Sequence, residues 1–193
     1  MATSKKEMLQ FVLDASARAG VPTAIGGGLA VAAHGYRRDT SDVDAFFHDK
    51  DRSKVMSVVR KSVGPRDFVE ELDPSHFIVI PEGNSPDERI DLMFAVEDPE
   101  ASAIEMSVEK TCLGITTPVF RANLLVAAKF LAGREDPKDA LDISSLLRRG
   151  AYEVEDVQRL LVHMGFEEAA REFPKLIEYL ENLPRRPSRR RKV

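Results

Sequence analysis

The sequence predicts an α/β fold (α+β in layout): a small mixed β-sheet with helices packed on it, followed by a helical C-terminal part. Three observations lead there. Short runs rich in β-branched and aromatic residues, bounded by Gly, Pro, Asp and Ser, recur through the first 117 residues and read as strands. Apolar residues at helical spacing lie between several of them. From Pro118 onward only the helical period remains. The expected organisation is therefore a core over residues 1–117, a helical subdomain over 118–183 and a basic, disordered tail over 184–193.

The elements follow in order. Met8, Phe11, Val12 and Ala15 predict a helix over residues 4–19, ended by Gly20. Residues 21–25 form a short strand leading into Gly26-Gly27-Gly28, and an Ala-rich helix runs from Leu29 to Gly35. The run from Ser41 to Phe47, SDVDAFF, is a strand. Residues 48–52 are a polar loop in which Asp49 or Asp51 can cap the next helix. Val55, Met56, Val58 and Val59 line that helix, which ends near Gly64-Pro65. Strands over 68–72 and 76–80 are joined by Asp73-Pro74-Ser75, and residues 81–87 read as an exposed loop. In residues 89–94, Ile90, Leu92 and Phe94 alternate toward a core and place Asp91 on the opposite face. A short helix over 100–107 and a single strand over 111–117 complete the core. Helices are then predicted over 120–132, from Asp136-Pro137, over 153–164 and over 167–183, the second opened by a capping residue followed by Pro.

Composition bounds the environment. The formal charge is −4, from 28 basic and 32 acidic residues. Residues 185–193 hold six of the basic residues and none of the acidic ones, leaving 22 basic against 32 acidic in the body. Such a body is a poor general nucleic-acid platform, because non-specific affinity comes largely from neutralising phosphates. The tail reads equally as a basic handle for RNA or as a solubilising end. No apolar run approaches a membrane span. The first residues lack an apolar signal core, so no membrane association and a cytoplasmic location are expected. Cys112 is the only cysteine and reads as a small buried hydrophobe. His34, His48, His76 and His163 show no ligand spacing.

The chemistry gathers between Ile25 and Phe47. Glycines let backbone N–H groups close on phosphate oxygens. Asp42 and Asp44, two apart on a strand, send both carboxylates to one face, a layout suited to divalent cations beside a triphosphate. The glycines lack the Lys-Ser/Thr of a P-loop and the spacing of a dinucleotide fingerprint. Phe46 and the polar Thr40-Ser41 exclude a haloacid-dehalogenase reading of the aspartates.

The constellation Gly27-Gly28, helix, Arg38-Asp39-Thr40, Asp42-Val43-Asp44 resembles the DNA-polymerase-β-like nucleotidyltransferases, in particular their bacterial AbiEii/MenT toxin-like and MNT-type branches. The resemblance implies transfer of a nucleoside monophosphate from an NTP to an acceptor hydroxyl, with Mg²⁺ or Mn²⁺ held by Asp42, Asp44 and a third carboxylate on a neighbouring strand, Asp91. It also implies nucleotide contacts from Gly27, Gly28, Arg38, Thr40 and Lys129. Many relatives carry Ser where this chain has Gly28, so only backbone donors stand there. Lys129 is the one charge in ANLLVAAKFLA and must either snorkel to water or meet an anion. Residues 134–143, REDPKDALDI, resemble an AbiEii-like signature that closes the site or pairs with Lys129 and the Arg38 turn. The implied partners are a tRNA or other RNA acceptor and a cognate toxin or antitoxin protein. Alternatives are AMP transfer to a partner protein, modification of an antibiotic as in some small relatives, and a non-catalytic binding module or antitoxin on the same fold.

Overall fold

A computed structural model describes residues 2–97, 100–132 and 137–182. The expected helix end at Gly133, the cap at Asp136, Arg134 and Glu135 of the signature, and the basic tail lie outside the described residues.

The strands are β1 (Ala24–Ile25), β2 (Val43–His48), β3 (Phe68–Asp73), β4 (His76–Ile80), β5 (Ile90–Ala95), β6 (Val108–Cys112) and β7 (Ile115–Val119). They form one mixed sheet in the order β3-β4-β5-β2-β1-β7-β6. The helices are α1 (Lys5–Ala19), α2 (Gly27–Ala33), α3 (Arg52–Ser62), α4 (Glu100–Glu105), α5 (Ala122–Ala132), α6 (Pro137–Leu147), α7 (Val154–His163) and α8 (Glu167–Asn182). The expected fold class is the observed one, with α5–α8 following the last strand.

The alternation of β2 and β5 decides which face is core. Val43, Ala45 and Phe47 on β2, with Ile90, Leu92 and Phe94 on β5, are all buried. Phe47 stacks on Phe94, and Phe77 meets Phe94 edge-on at 5.7 Å between centroids. Burying each such ring stabilises the fold by roughly 1.5–3 kcal/mol. Helix α1 packs on β2 and α3. Its start is fixed by a capping box, Ser4 with Glu7, and its end by Gly20 in the left-handed region. The opposite face of β2 carries Asp44, Phe46 and His48. Phe46 packs on Phe120 at 4.6 Å, and His48 reaches Glu105 of α4 at 3.7 Å. Farther along, Phe130 of α5 and Tyr152 both pack on the fully buried Phe173 of α8.

Several boundaries differ from expectation. The single strand over 111–117 is a hairpin, β6 and β7, turned by Leu113 and Gly114 at φ 51° and 80°. Two left-handed residues match the twist of a two-residue hairpin. Leucine seldom adopts that conformation, so Gly114 alone marked the turn in the sequence. Pro118 lies inside β7 instead of after it. Phe120 N–H, two residues on, donates to Ile25 of β1. Pro118 therefore faces the same side, beyond the start of two-residue β1, where a missing donor costs little. Strand 21–25 is reduced to Ala24–Ile25, and α2 begins at Gly27 instead of Leu29, so two glycines form its first turn. Asp42 precedes β2, which starts at Val43. Residues 49–51 form a 3₁₀ turn, and Asp51 makes no side-chain cap bond. Cys112 is buried as expected. Among the described residues, no helix is long and apolar enough to cross a membrane.

Candidate active site

The glycine turn and the Asp-bearing strand are built against each other. Gly26 N–H donates to Asp44 O at 3.0 Å, so the turn lies directly on β2. A Cβ at Gly26 would come within 2.5 Å of the Phe46 ring. Gly27 has φ +49°, and a Cβ there would lie 1.7 Å from Asp44 Oδ2. A Cβ at Gly28 would meet Thr40 Oγ1 at 2.5 Å. Thr40 thus fills the space a serine side chain at position 28 would need, which explains the bare glycine there.

The parallel pairing of β2 with β5 sets Asp44 directly beside Asp91. Each of Asp42, Asp44 and Asp91 has a carboxylate oxygen within 4.8 Å of those of the other two. Burial, and then the charges of Asp42 and Asp91, push the Asp44 carboxyl up to about 7, against the opposing pull of Lys129 and Arg38. A shielded cluster of three hard oxygen donors that repel one another is the donor set a divalent cation would neutralise. The residues present therefore fit the implied Mg²⁺ or Mn²⁺.

Supporting side chains fix these carboxylates. Thr40 Oγ1 donates to Asp42 Oδ1 at 2.5 Å. Asp91 is only 4 % exposed, because Arg89 and His76 are bonded to it. Arg89 Nε lies 3.1 and 3.0 Å from its two oxygens, and His76 Nε2 lies 2.8 Å from Oδ1. Asp91 keeps the expected face but is a held carboxylate, not a solvent-facing one. Sequence reasoning missed both supports. Arg89 was legible as an i, i+2 neighbour on one strand face. His76 was not, since it arrives from β4 through pairing across Met93.

A second cluster ties the sheet to the C-terminal helices. Arg38 pairs with the fully buried Asp142 of α6, and Lys129 Nζ lies 2.5 Å from Asp139 and 3.0 Å from Asp142. Lys129 is thus not a snorkelling lysine; the anions it meets belong to its own chain. The pairing expected between the 134–143 signature, Lys129 and the Arg38 turn is present.

Gly27, Gly28, Arg38, Thr40, Asp42 and Asp44 line a cavity of about 750 Å³. Residues 2–5 with Met8, Asn84 with Glu88, and Lys138 with Asp139 complete its walls. The structure thus brings together every predicted site residue except Asp91 and Lys129 on one cavity lining. Asp91 adjoins it through Asp44, and Lys129 through Asp139.

No family model matches the sequence, and no curated protein matches it significantly. Solved structures do. The solution structure of the antibiotic-resistance factor ANT(2'')-Ia superposes with a TM-score of 0.61 at 20% identity, covering 91% of this chain and 98% of that one. The lincomycin-bound lincosamide antibiotic adenylyltransferase LnuA gives 0.52 at 17% identity, covering 76% and 98%. An antigenic nucleotidyltransferase-like protein from Paracoccidioides brasiliensis gives 0.53 at 17%, covering 94% and 95%. At these identities the likeness establishes architecture: the chain has the fold of the polymerase-β-like nucleotidyltransferases, with an acidic triad at its centre.

Proposed function

We propose that this protein is a nucleotidyltransferase that moves a nucleoside monophosphate from an NTP to an acceptor hydroxyl and releases pyrophosphate. The observation that carries this reading is the convergence of Asp42, Asp44 and Asp91 beside a turn in which Gly27 cannot carry a side chain without striking Asp44. Asp42, Asp44 and Asp91 would hold Mg²⁺ or Mn²⁺. When bound, the cation supplies charge neutralisation for the triphosphate and the leaving pyrophosphate. The chain's own part is placement. Gly27 and Gly28 offer backbone amides to phosphate oxygens, and Thr40 orients Asp42. Arg38, on the cavity lining, and Lys129, behind Asp139, are locked to α6 and set the electrostatic balance beside the cavity. Asp91, held by Arg89 and His76, orients the acceptor hydroxyl and takes its proton.

The acceptor is the finer question. Asp39, Glu88 and Asp139 line the cavity in addition to the triad residues Asp42 and Asp44. Set against Lys5, Arg38 and Lys138, these carboxylates leave the lining net acidic. That disfavours an RNA backbone more than a Mg²⁺-bound triphosphate and favours a neutral or cationic small acceptor. ANT(2'')-Ia, solved with adenylyl-2''-tobramycin, and LnuA, solved with lincomycin, take small acceptors. A tRNA 3′ end, or a protein partner in a toxin–antitoxin pair, is the reading carried by the AbiEii-like motif and the basic tail. Incubating the protein and Mg²⁺ with each α-labelled NTP and bacterial lysate tests both levels. Label in small molecules, RNA or protein assigns the acceptor class. No Asp44-dependent label in any fraction would refute the transferase reading.

A further inference from the structure

The cations that the motif assigns to the triphosphate are already committed. Arg38 is paired with Asp142, Lys129 with Asp139 and Asp142, and Lys138 is not free either. Yet the cavity presents carboxylates from Asp39, Asp42, Asp44, Glu88 and Asp139. A Mg²⁺-bound NTP keeps net negative charge, which a cation not already neutralised by its own chain would balance. Lys5 meets that need. It lines the same cavity, is partly buried, and makes no side-chain hydrogen bond or ion pair among the described residues.

Lys5 is also held in place from both sides. Behind it, the Ser4–Glu7 capping box fixes the first turn of α1, and Met8 is buried in the core. Ahead of it, Thr3 N–H donates to Asn84 Oδ1 at 2.7 Å, and Asn84 Nδ2 donates to Thr3 O at 2.9 Å. This reciprocal pair straps residues 2–5 to the connection between β4 and β5, which leads through Arg89 to Asp91. The strap gives a long, flexible side chain a fixed origin beside the glycine turn, so less freedom is lost when its ammonium meets a phosphate.

We propose that Lys5 is a phosphate-binding residue for the nucleotide, placed by the Thr3–Asn84 strap. The inference rests on the nucleotidyltransferase reading and adds to it a residue outside the motif. A lysine serves here as a point charge, and a charge-assisted contact of this kind is typically worth about tenfold in affinity.

The test uses the full chain and Mg²⁺ complexes of each of the four NTPs, with affinity measured by equilibrium dialysis. Lys5→Met keeps the aliphatic length, and its Kd should rise about tenfold for the NTP that wild type binds. Lys5→Arg should recover most of the loss. Asn84→Ala, which frees the strap, should fall between. Binding of Mn²⁺ alone, read by electron paramagnetic resonance, should be the same in wild type and Lys5→Met, since Lys5 is no part of the triad. Lys5→Met affinity equal to wild type, while Asp44→Asn loses binding, would overturn the role of Lys5. Unchanged affinity in Asn84→Ala would overturn the role of the strap. A wild type that binds none of the four NTPs would overturn the transferase reading beneath both.

Discussion

Arg38 and Asp142 meet fork to carboxylate: Nε lies 2.9 Å from Oδ1 and Nη2 lies 3.0 Å from Oδ2. Arg38 belongs to the turn before the Asp-bearing strand, and Asp142 is a fully buried residue of α6. The pair fixes the C-terminal helices to the side of the cavity. Lys129 completes it, bonding the same buried carboxylate of Asp142 and the partly exposed one of Asp139.

Removing one member of this cluster leaves buried charge without its partner. Asp142→Ala should destabilise the protein by about 3–5 kcal/mol, read as a lower urea midpoint. Lys129→Met should also destabilise the protein, by about 1–3 kcal/mol, again read as a lower urea midpoint. Unchanged stability in Lys129→Met, with weaker NTP binding, would show that Lys129 leaves its carboxylates to serve the phosphates.

Gly27→Ala tests how closely the turn and the strand are fitted. The new Cβ would stand at φ +49° and 1.7 Å from Asp44 Oδ2, so the carboxylate must swing away. The strained backbone alone costs about 1–2 kcal/mol. Mn²⁺ affinity should drop along with NTP binding. An alanine variant that binds Mn²⁺ as wild type does would show that Asp44 is not held at that position.

The raised carboxyl of Asp44 gives a pH signature with a definite sign. Its ordinary value is 3.8 and burial among carboxylates lifts it to about 7 in the fold. Between those values the folded chain binds more protons than the unfolded one, so stability of the metal-free protein falls as pH rises from about 4 to about 7. Asp44→Asn should remove that decline and melt higher than wild type at pH 8. Mg²⁺ added at pH 8 should raise the wild-type Tm and leave Asp44→Asn nearly unmoved. Parallel Tm-versus-pH curves for the two proteins would contradict the assignment.

Asp91 and Asp44 should separate chemistry from binding. Asp91→Asn retains the shape that Arg89 and His76 enclose and removes the group proposed to take the acceptor proton. It should keep much of the Mg·NTP binding and lose transfer by roughly 10²–10⁴-fold. Asp44→Asn should lose both. Circular dichroism controls for folding, and label transfer that persists in folded Asp91→Asn would remove Asp91 from the mechanism.

Local pattern was enough to read the fold class and the Asp42–Asp44 pair, and the family resemblance added Asp91 to the candidate site. Asp42 and Asp44 are two apart beside three glycines, and Asp91 alternates with Ile90 and Leu92. Such features are written in the period of the chain itself. What the sequence could not show is which distant residue answers a given charge. Lys129 read as a lysine that either snorkels or meets an anion, and α6 supplied Asp139 and Asp142 from ten and more residues away. His76 carried no ligand spacing because its contact with Asp91 is made by strand pairing. The Leu113-Gly114 turn was marked by Gly114 alone, because leucine's own preference is overridden by the hairpin it closes. Nothing in the sequence singled out Lys5 within the helix expected over residues 4–19. Only the packing of α1 and the strap to Asn84 bring it to the cavity. Periodicity and local chemistry are properties of neighbouring residues, whereas burial and charge pairing belong to surfaces that exist only once the sheet and helices have closed on each other.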